Sequence, residues 1–341
     1  MKEYIKYFIR IALFAIVCIF LTRKLTNFPL HNLFSGAQVY LLLIALIFYY
    51  LKVSLQGLRW QTACRAHGKN ISPAELVKRQ IEIAFLEILF PFPDSEDVIK
   101  VIFLDKLGVS LSVGTAIVIY DRIIGVIVLL IILPFSATVF SKIFFHTGFS
   151  NLIVIICLPL LIAAIVFYRK IIKAFLKIIP NSFKGKSLFL AEFDAIMTSK
   201  IAFSWILKSL LLTSLFALCS ATVPWLLINS LGSHVSFFIL LISIPLFYVS
   251  AILPLSIQGL GLYEATLVFV LQYTGIPTEI CVKAGIIHFI FHLIIIVSGG
   301  IIFLFDREKN WIENAINKYF NKPLGKSSNY TKDEPGGTSQ L

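Results

Sequence analysis

Four groups of ionisable or flexible residues interrupt otherwise apolar runs of this chain. The first is Asp121-Arg122, within "GTAIVIYDRIIGVIVLL". Counted from about Ser110, the pair sits roughly 17 Å into a hydrocarbon layer about 30 Å thick. Adjacent helical residues point about 100° apart, so acid and base do not face one another and each needs a partner on another element. The chemistry on offer is an ion pair locking two helices, or a guanidinium presented to an anionic group. The second group is Glu82 and Glu87 in "SPAELVKRQIEIAFLEILFPFPDSEDVIK". Glu75 with Arg79, and Lys78 with Glu82, lie four apart and share a face. Glu87 points elsewhere and is a candidate partner for Arg122.

The third group lies in "LPLSIQGLGLYEATLVF", Leu253 to Phe269. Gly261 can cap a short helix, which places Glu264 three residues later, where a carboxylate stabilises a helix N-terminus by about 0.3–1 kcal/mol. Gly259 and Gly261 would also let the backbone open and approach a head group. The fourth is His288 and His292, one turn apart. Two histidines at that spacing can bind a metal, but Phe289 follows His288 and no Glu lies between them, so hydrogen bonding between helices is the reading taken. No P-loop, dinucleotide-binding glycine pattern, nucleophile elbow or paired-carboxylate signature is present. No catalytic residue, metal or cofactor is expected.

The elements that must position these groups are membrane helices. Of 341 residues, 58% are hydrophobic and 14% charged, with mean hydropathy +0.90; a soluble domain carries about 25% charged residues. The net charge of +12 fits cytoplasmic loops facing anionic lipid, and without a compact basic domain nucleic acid is not the expected partner. Cys18, Cys64, Cys157, Cys219 and Cys281 are scattered and read as small buried residues, not as a disulfide framework. The N-terminal "MKEYIKYFIRIALFAIVCIFLTRK" has no cleavage site after its apolar core and reads as a retained first helix.

The expected architecture is all-α: a polytopic bundle of about eight spanning helices plus re-entrant segments, with both termini cytoplasmic. Spans are expected at about Ile5–Leu21, Ala37–Leu58, Ser110–Leu133, Leu152–Tyr168, Ile201–Ile228, Val235–Leu253 and Glu279–Phe305, with a shorter helix at Gly261–Tyr273. Helix 2 is expected to end in a cytoplasmic basic cluster of Arg59, Arg65 and Lys69. Ser72, Pro73 and Glu75 form a helix start signal. The helix that follows should stop at Pro91-Phe92-Pro93 and return as a re-entrant element, or else lie at the interface. The segment after Tyr168 has Lys170, Lys173 and Lys177 opposite an apolar face, as an interfacial helix would. Residues 1–305 are read as one membrane domain, 306–322 as an interfacial amphipathic helix and 323–341 as a disordered tail.

Three stretches, "GLRWQTACRAHGKNIS", "LGVSLSVGTAIVIYDRIIGVIVLL" and "IQGLGLYEATLVFVLQYTGIP", together resemble the flippase-like membrane domain found in lysylphosphatidylglycerol synthases (the multiple peptide resistance factor) and in many stand-alone membrane proteins. The likeness runs from about Leu58 to Phe305. Its motifs are the Arg-rich end of helix 2, the acidic-Arg-x-x-Gly run Asp121 to Gly125, and the Gly-x-Gly-x-x-Glu run Gly259 to Glu264. The resemblance implies re-entrant elements and movement of lipids or lipid-linked groups between leaflets, and by position it assigns Asp97, Lys100, Arg122 and Glu264 to a polar site. After the re-entrant Pro the family usually has Gly-rich sequence, then an acid and an Arg. Here the run is Pro91 to Asp97 and then Lys100, a poorer bidentate phosphate ligand than Arg.

The full candidate set is thus Glu87, Asp97, Lys100, Asp121, Arg122, Gly259, Gly261 and Glu264. The expected partners are membrane lipids, anionic or polyprenyl-linked, with an envelope-biosynthesis enzyme or a second copy as further candidates. A membrane transferase and a scaffold stand as alternatives to a translocase; nothing resembles the DxxD pair that a pyrophosphate-metal transferase would need.

Overall fold

The computed structural model describes residues 33–89, 95–144, 201–252 and 261–305. Among them are nine helices: α1 Val39–Ala66, α2 Pro73–Leu89, α3 Ser95–Lys106, α4 Leu111–Phe144, α5 Phe203–Ser230, α6 Phe237–Ile242, α7 Ile244–Ile252, α8 Leu262–Tyr273 and α9 Thr278–Phe305. Four of these, α1, α4 (over Leu111–Ser136), α5 and α9, are long and apolar enough to cross a membrane. The expected spans at Ile5–Leu21 and Leu152–Tyr168, the interfacial segment after Tyr168 and the whole tail lie outside the described residues.

Several boundaries differ from the sequence reading. Helix α1 does not stop at Leu58 but continues to Ala66, because nothing in "RWQTACRA" breaks a helix and its residues find buried partners. The expected span Val235–Leu253 is instead two short helices, α6 and α7, parted at Ser243. Pro245, one residue into α7, supplies no amide hydrogen and favours a fresh helix start over continuation. Helix α4 runs past Leu133 and through Pro134 to Phe144. Helix α2 begins at Pro73, where the start signal puts it.

The bundle exposes apolar side chains and buries, beside its apolar cores, a set of polar and charged ones. On α1, Tyr40, Leu43, Ile47 and Leu51 are exposed, a stripe spaced at helical period. On α5 the exposed set is Phe203, Leu207, Leu211, Leu215 and Leu218. Such contiguous apolar surface is costly in water and suits a lipid solvent. Two apolar cores lie behind it. One surrounds Leu227, Leu271 and Ile287, between α1, α5, α8 and α9. The other surrounds Trp60, Leu76, Phe103 and Ile117, between α1, α2, α3 and α4. Small residues set the closest approaches. A Cβ on Gly57 would come within 2.7 Å of the Val77 Cα, and one on Gly299 within 2.2 Å of the Ile81 carbonyl oxygen, so α1 and α9 both press against the backbone of α2.

Candidate functional site

Helix α1 carries a second stripe, Tyr49, Lys52, Gln56 and Arg59, at spacings of three, four and three. With 100° per residue it faces almost opposite the exposed Leu43–Leu51 stripe, and at 1.5 Å per residue it spans about 15 Å of the helix axis. Each member reaches a different part of the interior, and the remaining polar groups arrange themselves along it.

At the lower end, Arg59 donates from Nε and Nη2 to the two carboxylate oxygens of Asp121 at 2.6 and 2.9 Å. Both side chains are sealed from solvent, at 8% and 5% exposure. One residue on, and turned about 100° away, Arg122 donates to Asp97 at the start of α3, again through two bonds, 2.7 and 2.9 Å. Helix α4 thus gives an acid to α1 and a base to α3. The Arg122–Asp97 pair is far more open, at 40% and 21% exposure. Beside it, Glu96 is a hub. Its Oε1 accepts from Gln56 of α1 at 2.6 Å, Gln80 of α2 at 3.1 Å and Lys100 of α3 at 2.6 Å, while Oε2 lies 3.5 Å from Arg122 of α4. Burial alone would raise the Glu96 carboxyl, but the charges of Lys100 and Arg122 and the hydrogen bonds from Lys100 and Gln80 outweigh it and hold it below the ordinary carboxylate range. Both Glu96 and Asp97 lie in the first turn of α3, where the helix dipole also favours negative charge.

At the upper end, Glu264 links two helices. Its Oε2 accepts from the backbone N–H of Gly261 at 2.7 Å, capping α8, and its Oε1 is 3.2 Å from Nδ1 of His288 on α9. Gly261 adopts φ of 86°, a conformation that favours glycine. Tyr263 stacks on His288 with centroids 4.6 Å apart, and Tyr49 of α1 lies 5.3 Å away on another side. Lys52 places its Nζ 4.0 Å from the centre of the Tyr49 ring. Between the two ends, Tyr248 of α7 is within electrostatic reach of Arg59, Arg122, Glu96 and Asp121, and also of Tyr263.

The sequence-derived candidates fall out as follows. Asp97, Lys100, Asp121 and Arg122 converge on one junction, and Glu264 with Gly261 lies at the other end of the α1 stripe. Gly259 is outside the described residues. The expected pairing of Glu87 with Arg122 is corrected: Glu87 is within electrostatic reach of Arg122, but the hydrogen bonds of that guanidinium go to Asp97 and Glu96. Asp97 wins because the first turn of α3 brings its carboxylate in line with both Nε and Nη2. Arg59 is likewise corrected, from an aqueous cluster to a sealed partner of Asp121. Lys100 is 2% exposed, paired with Glu96 and set 5.6 Å from the Trp60 ring, so it holds the junction and offers no open face. Sequence reasoning misses Lys52, Gln56, Glu96 and Tyr248. The three, four, three spacing from Tyr49 to Arg59 is the available signal for the first two.

Among the described residues, Cys64, Cys219 and Cys281 are free and buried, and no three His, Cys, Asp or Glu side chains converge as a metal site.

A family model described as "Lysylphosphatidylglycerol synthase TM region" matches residues 7–300. Comparison with curated proteins finds no match.

Proposed function

Since the chain belongs to the lysylphosphatidylglycerol synthase TM family, we propose that it moves a lipid, or a lipid-linked group, between membrane leaflets, with the head group passing along the polar face of α1. The observation that carries this reading is Arg122. It lies eleven residues into a strongly apolar span, yet its side chain is 40% exposed. A charge at bilayer depth costs about 2.5–3.5 kcal/mol even on insertion scales, so an accessible guanidinium there implies a wet hollow beside it. Nε and Nη2 are held by Asp97, which fixes the fork; among the described residues Nη1 has no hydrogen-bond partner and would meet a head-group oxygen. Glu264 and its histidine would bound the far end of the same track.

On this reading the protein sits in the cell membrane with both termini cytoplasmic, its substrate an anionic or polyprenyl-linked lipid. An envelope-biosynthesis enzyme, or a second copy of the chain, would act alongside it. The orientation follows from the positive-inside rule, by which the Lys- and Arg-rich loops are assigned to the inner side.

The test is leaflet exchange in liposomes holding the purified protein and head-group-labelled lipids, with a membrane-impermeant quencher outside. Protein-bearing vesicles should lose label from the inner leaflet. Arg122→Ala should slow this about tenfold, the loss of one charge-assisted bond, while Arg122→Lys controls for folding. Quenching no deeper than in empty vesicles, for anionic, zwitterionic and polyprenyl lipids alike, would sink the reading. Turnover of a lipid-linked donor in its place would make the protein a transferase. No exchange, with a partner enzyme's activity that depends on the protein yet survives Arg122→Ala and Glu264→Gln, would make it a scaffold.

A further inference from the structure

At the upper end of the α1 stripe the charges answer one another, but the hydrogen bonds do not. The Glu264 carboxylate lies within electrostatic reach of Lys52, so the cluster is close to neutral and calls for no counter-ion. The two oxygens of Glu264 take the Gly261 amide and Nδ1 of His288. A carboxylate partner requires the proton on Nδ1, which leaves Nε2 of His288 a bare lone-pair acceptor. His288 is 2% exposed, and its Nε2 has no hydrogen-bond partner. A buried polar atom left this way costs free energy unless something completes it. Lys52 is the complementary case. Its ammonium carries several donors and no acceptor, and its one close contact among the described residues is the Tyr49 ring, 4.0 Å from Nζ. His288 packs on the same ring, with centroids 5.3 Å apart. An acceptor without a donor and a donor without an acceptor thus meet around one tyrosine. Tyr49, Glu264 and His288 are buried and form the closed side of the cluster; Lys52 and His292 are half-buried and form its open side.

Resting on the transport reading above, we propose that this cluster binds a hydroxyl group of a lipid head group, which donates to Nε2 of His288 and accepts from Nζ of Lys52. Of phosphate, ammonium and hydroxyl, the hydroxyl alone does both. A phosphate oxygen only accepts, so it leaves Nε2 incomplete. An ammonium only donates, and it would meet the like charge of Lys52. The flexible stem of Lys52 lets its ammonium follow the hydroxyl to the imidazole, while the Glu264 bond fixes the imidazole itself. Glycerol and sugar head groups both carry the required group, and the experiment tells them apart.

The experiment is direct lipid binding to the purified full chain in detergent, read by native mass spectrometry with two matched pairs of probes. Phosphatidylglycerol and phosphatidylpropanol share one phosphate and a three-carbon head group and differ only in hydroxyls. Glucosyl diacylglycerol and diacylglycerol differ in the sugar. The wild-type protein should prefer the hydroxyl-bearing member by about tenfold or more. Preference in the first pair alone assigns glycerol, in the second alone a sugar, and in both the shared hydroxyl. His288→Phe should abolish the preference, and His288→Gln, which keeps an acceptor, should retain part of it. Equal binding within both pairs by the wild-type chain overturns the proposal without need of any variant. So does an unchanged preference in a His288→Phe protein of normal helical content. Full displacement of the lipid by millimolar glycerol or glucose overturns the lipid source. The outcomes separate from those of the transport test: a preference without leaflet exchange keeps the hydroxyl site and sinks transport, whereas exchange without preference in either pair keeps transport and sinks the site.

Discussion

Breaking the Arg59–Asp121 pair is the sharpest probe of whether the end of α1 is interior or aqueous. In water an exposed ion pair is worth about 0–1 kcal/mol, and Arg59→Met should then hardly matter. The geometry says otherwise: two hydrogen bonds of 2.6 and 2.9 Å join side chains that are 8% and 5% exposed. Removing either partner strands the other charge in an apolar interior, a loss of about 3–5 kcal/mol, whereas replacing both with apolar groups of similar volume is often neutral or better. Arg59→Met and Asp121→Leu should therefore each lower the folded-to-unfolded ratio by at least about a hundredfold. The double variant should lose less than either single one, giving a coupling of about 3 kcal/mol or more. Equilibrium unfolding in bicelles, on all four corners of the cycle, measures this. Two small and additive losses, each under about 1 kcal/mol, would return Arg59 to the solvent and undo the junction as described.

Two further outcomes follow from the packing and charge. Gly299→Ala should severely impair folding, because its Cβ would meet the Ile81 carbonyl oxygen at 2.2 Å and backbone has nowhere to retreat; Gly125→Ala, whose nearest neighbour is the Arg59 Nη1 at 3.9 Å, should fold as well as the parent or better by up to about 1 kcal/mol. Thermal melts in detergent compare the two, and equal losses would mean that α9 does not press on α2. The Glu96 carboxyl is held below its ordinary value, so it contributes stability above the unfolded-state pKa of about 4.3, a contribution lost as pH falls through the lower folded value. Melting temperature should thus drop on acidification below about pH 4.3, Glu96→Gln should blunt that drop, and an identical acid profile in the variant would refute the hub.

The parts of this geometry that can be read from sequence are those fixed by local periodicity. Adjacent residues 100° apart must serve two neighbours, and Asp121 and Arg122 do: one turns to α1, the other to α3. Ser72-Pro73 and Gly261-x-x-Glu264 mark helix starts through groups within four residues of one another, and α2 begins at Pro73 and α8 just after Gly261. What cannot be read depends on which helices meet. Whether Arg122 takes Glu87 or Asp97 is decided by the angle at which α3 arrives, and nothing in either segment states that angle. Arg59 is hard to place for a related reason. A basic residue near the end of an apolar run resembles a membrane boundary, and only the presence of Asp121 on a packed neighbour makes burial tolerable. Ser243-Ile244-Pro245 is a visible break within an apolar run, and the hydrophobic residues around it mask the signal.

The arrangement of charge also sets apart a balanced junction at the end of α1 from a looser pairing at its middle. Among the described residues the junction joins three cations, Arg59, Lys100 and Arg122, by hydrogen bonds to three carboxylates, Glu96, Asp97 and Asp121, with Glu87 within electrostatic reach. Such a group is close to neutral, and its field falls off quickly outside it. It can offer a well-placed donor, the Nη1 of Arg122, but little long-range pull. Lys52 is about 10 Å from Arg59 along the helix axis, outside that balanced set, and has the Glu264 carboxylate within electrostatic reach. A lysine and a carboxylate within electrostatic reach compensate each other, so the middle of α1 is close to neutral as well. The fixed donor is therefore the Arg122–Asp97 fork, which α4 and α3 hold beside Gln56 of α1 through Glu96. Rotating α1 would turn Lys52 and Arg59 toward lipid together, at about 2.5–3.5 kcal/mol each. A head group moving along this face is thus better served by motion of the helices opposite α1 than of α1 itself.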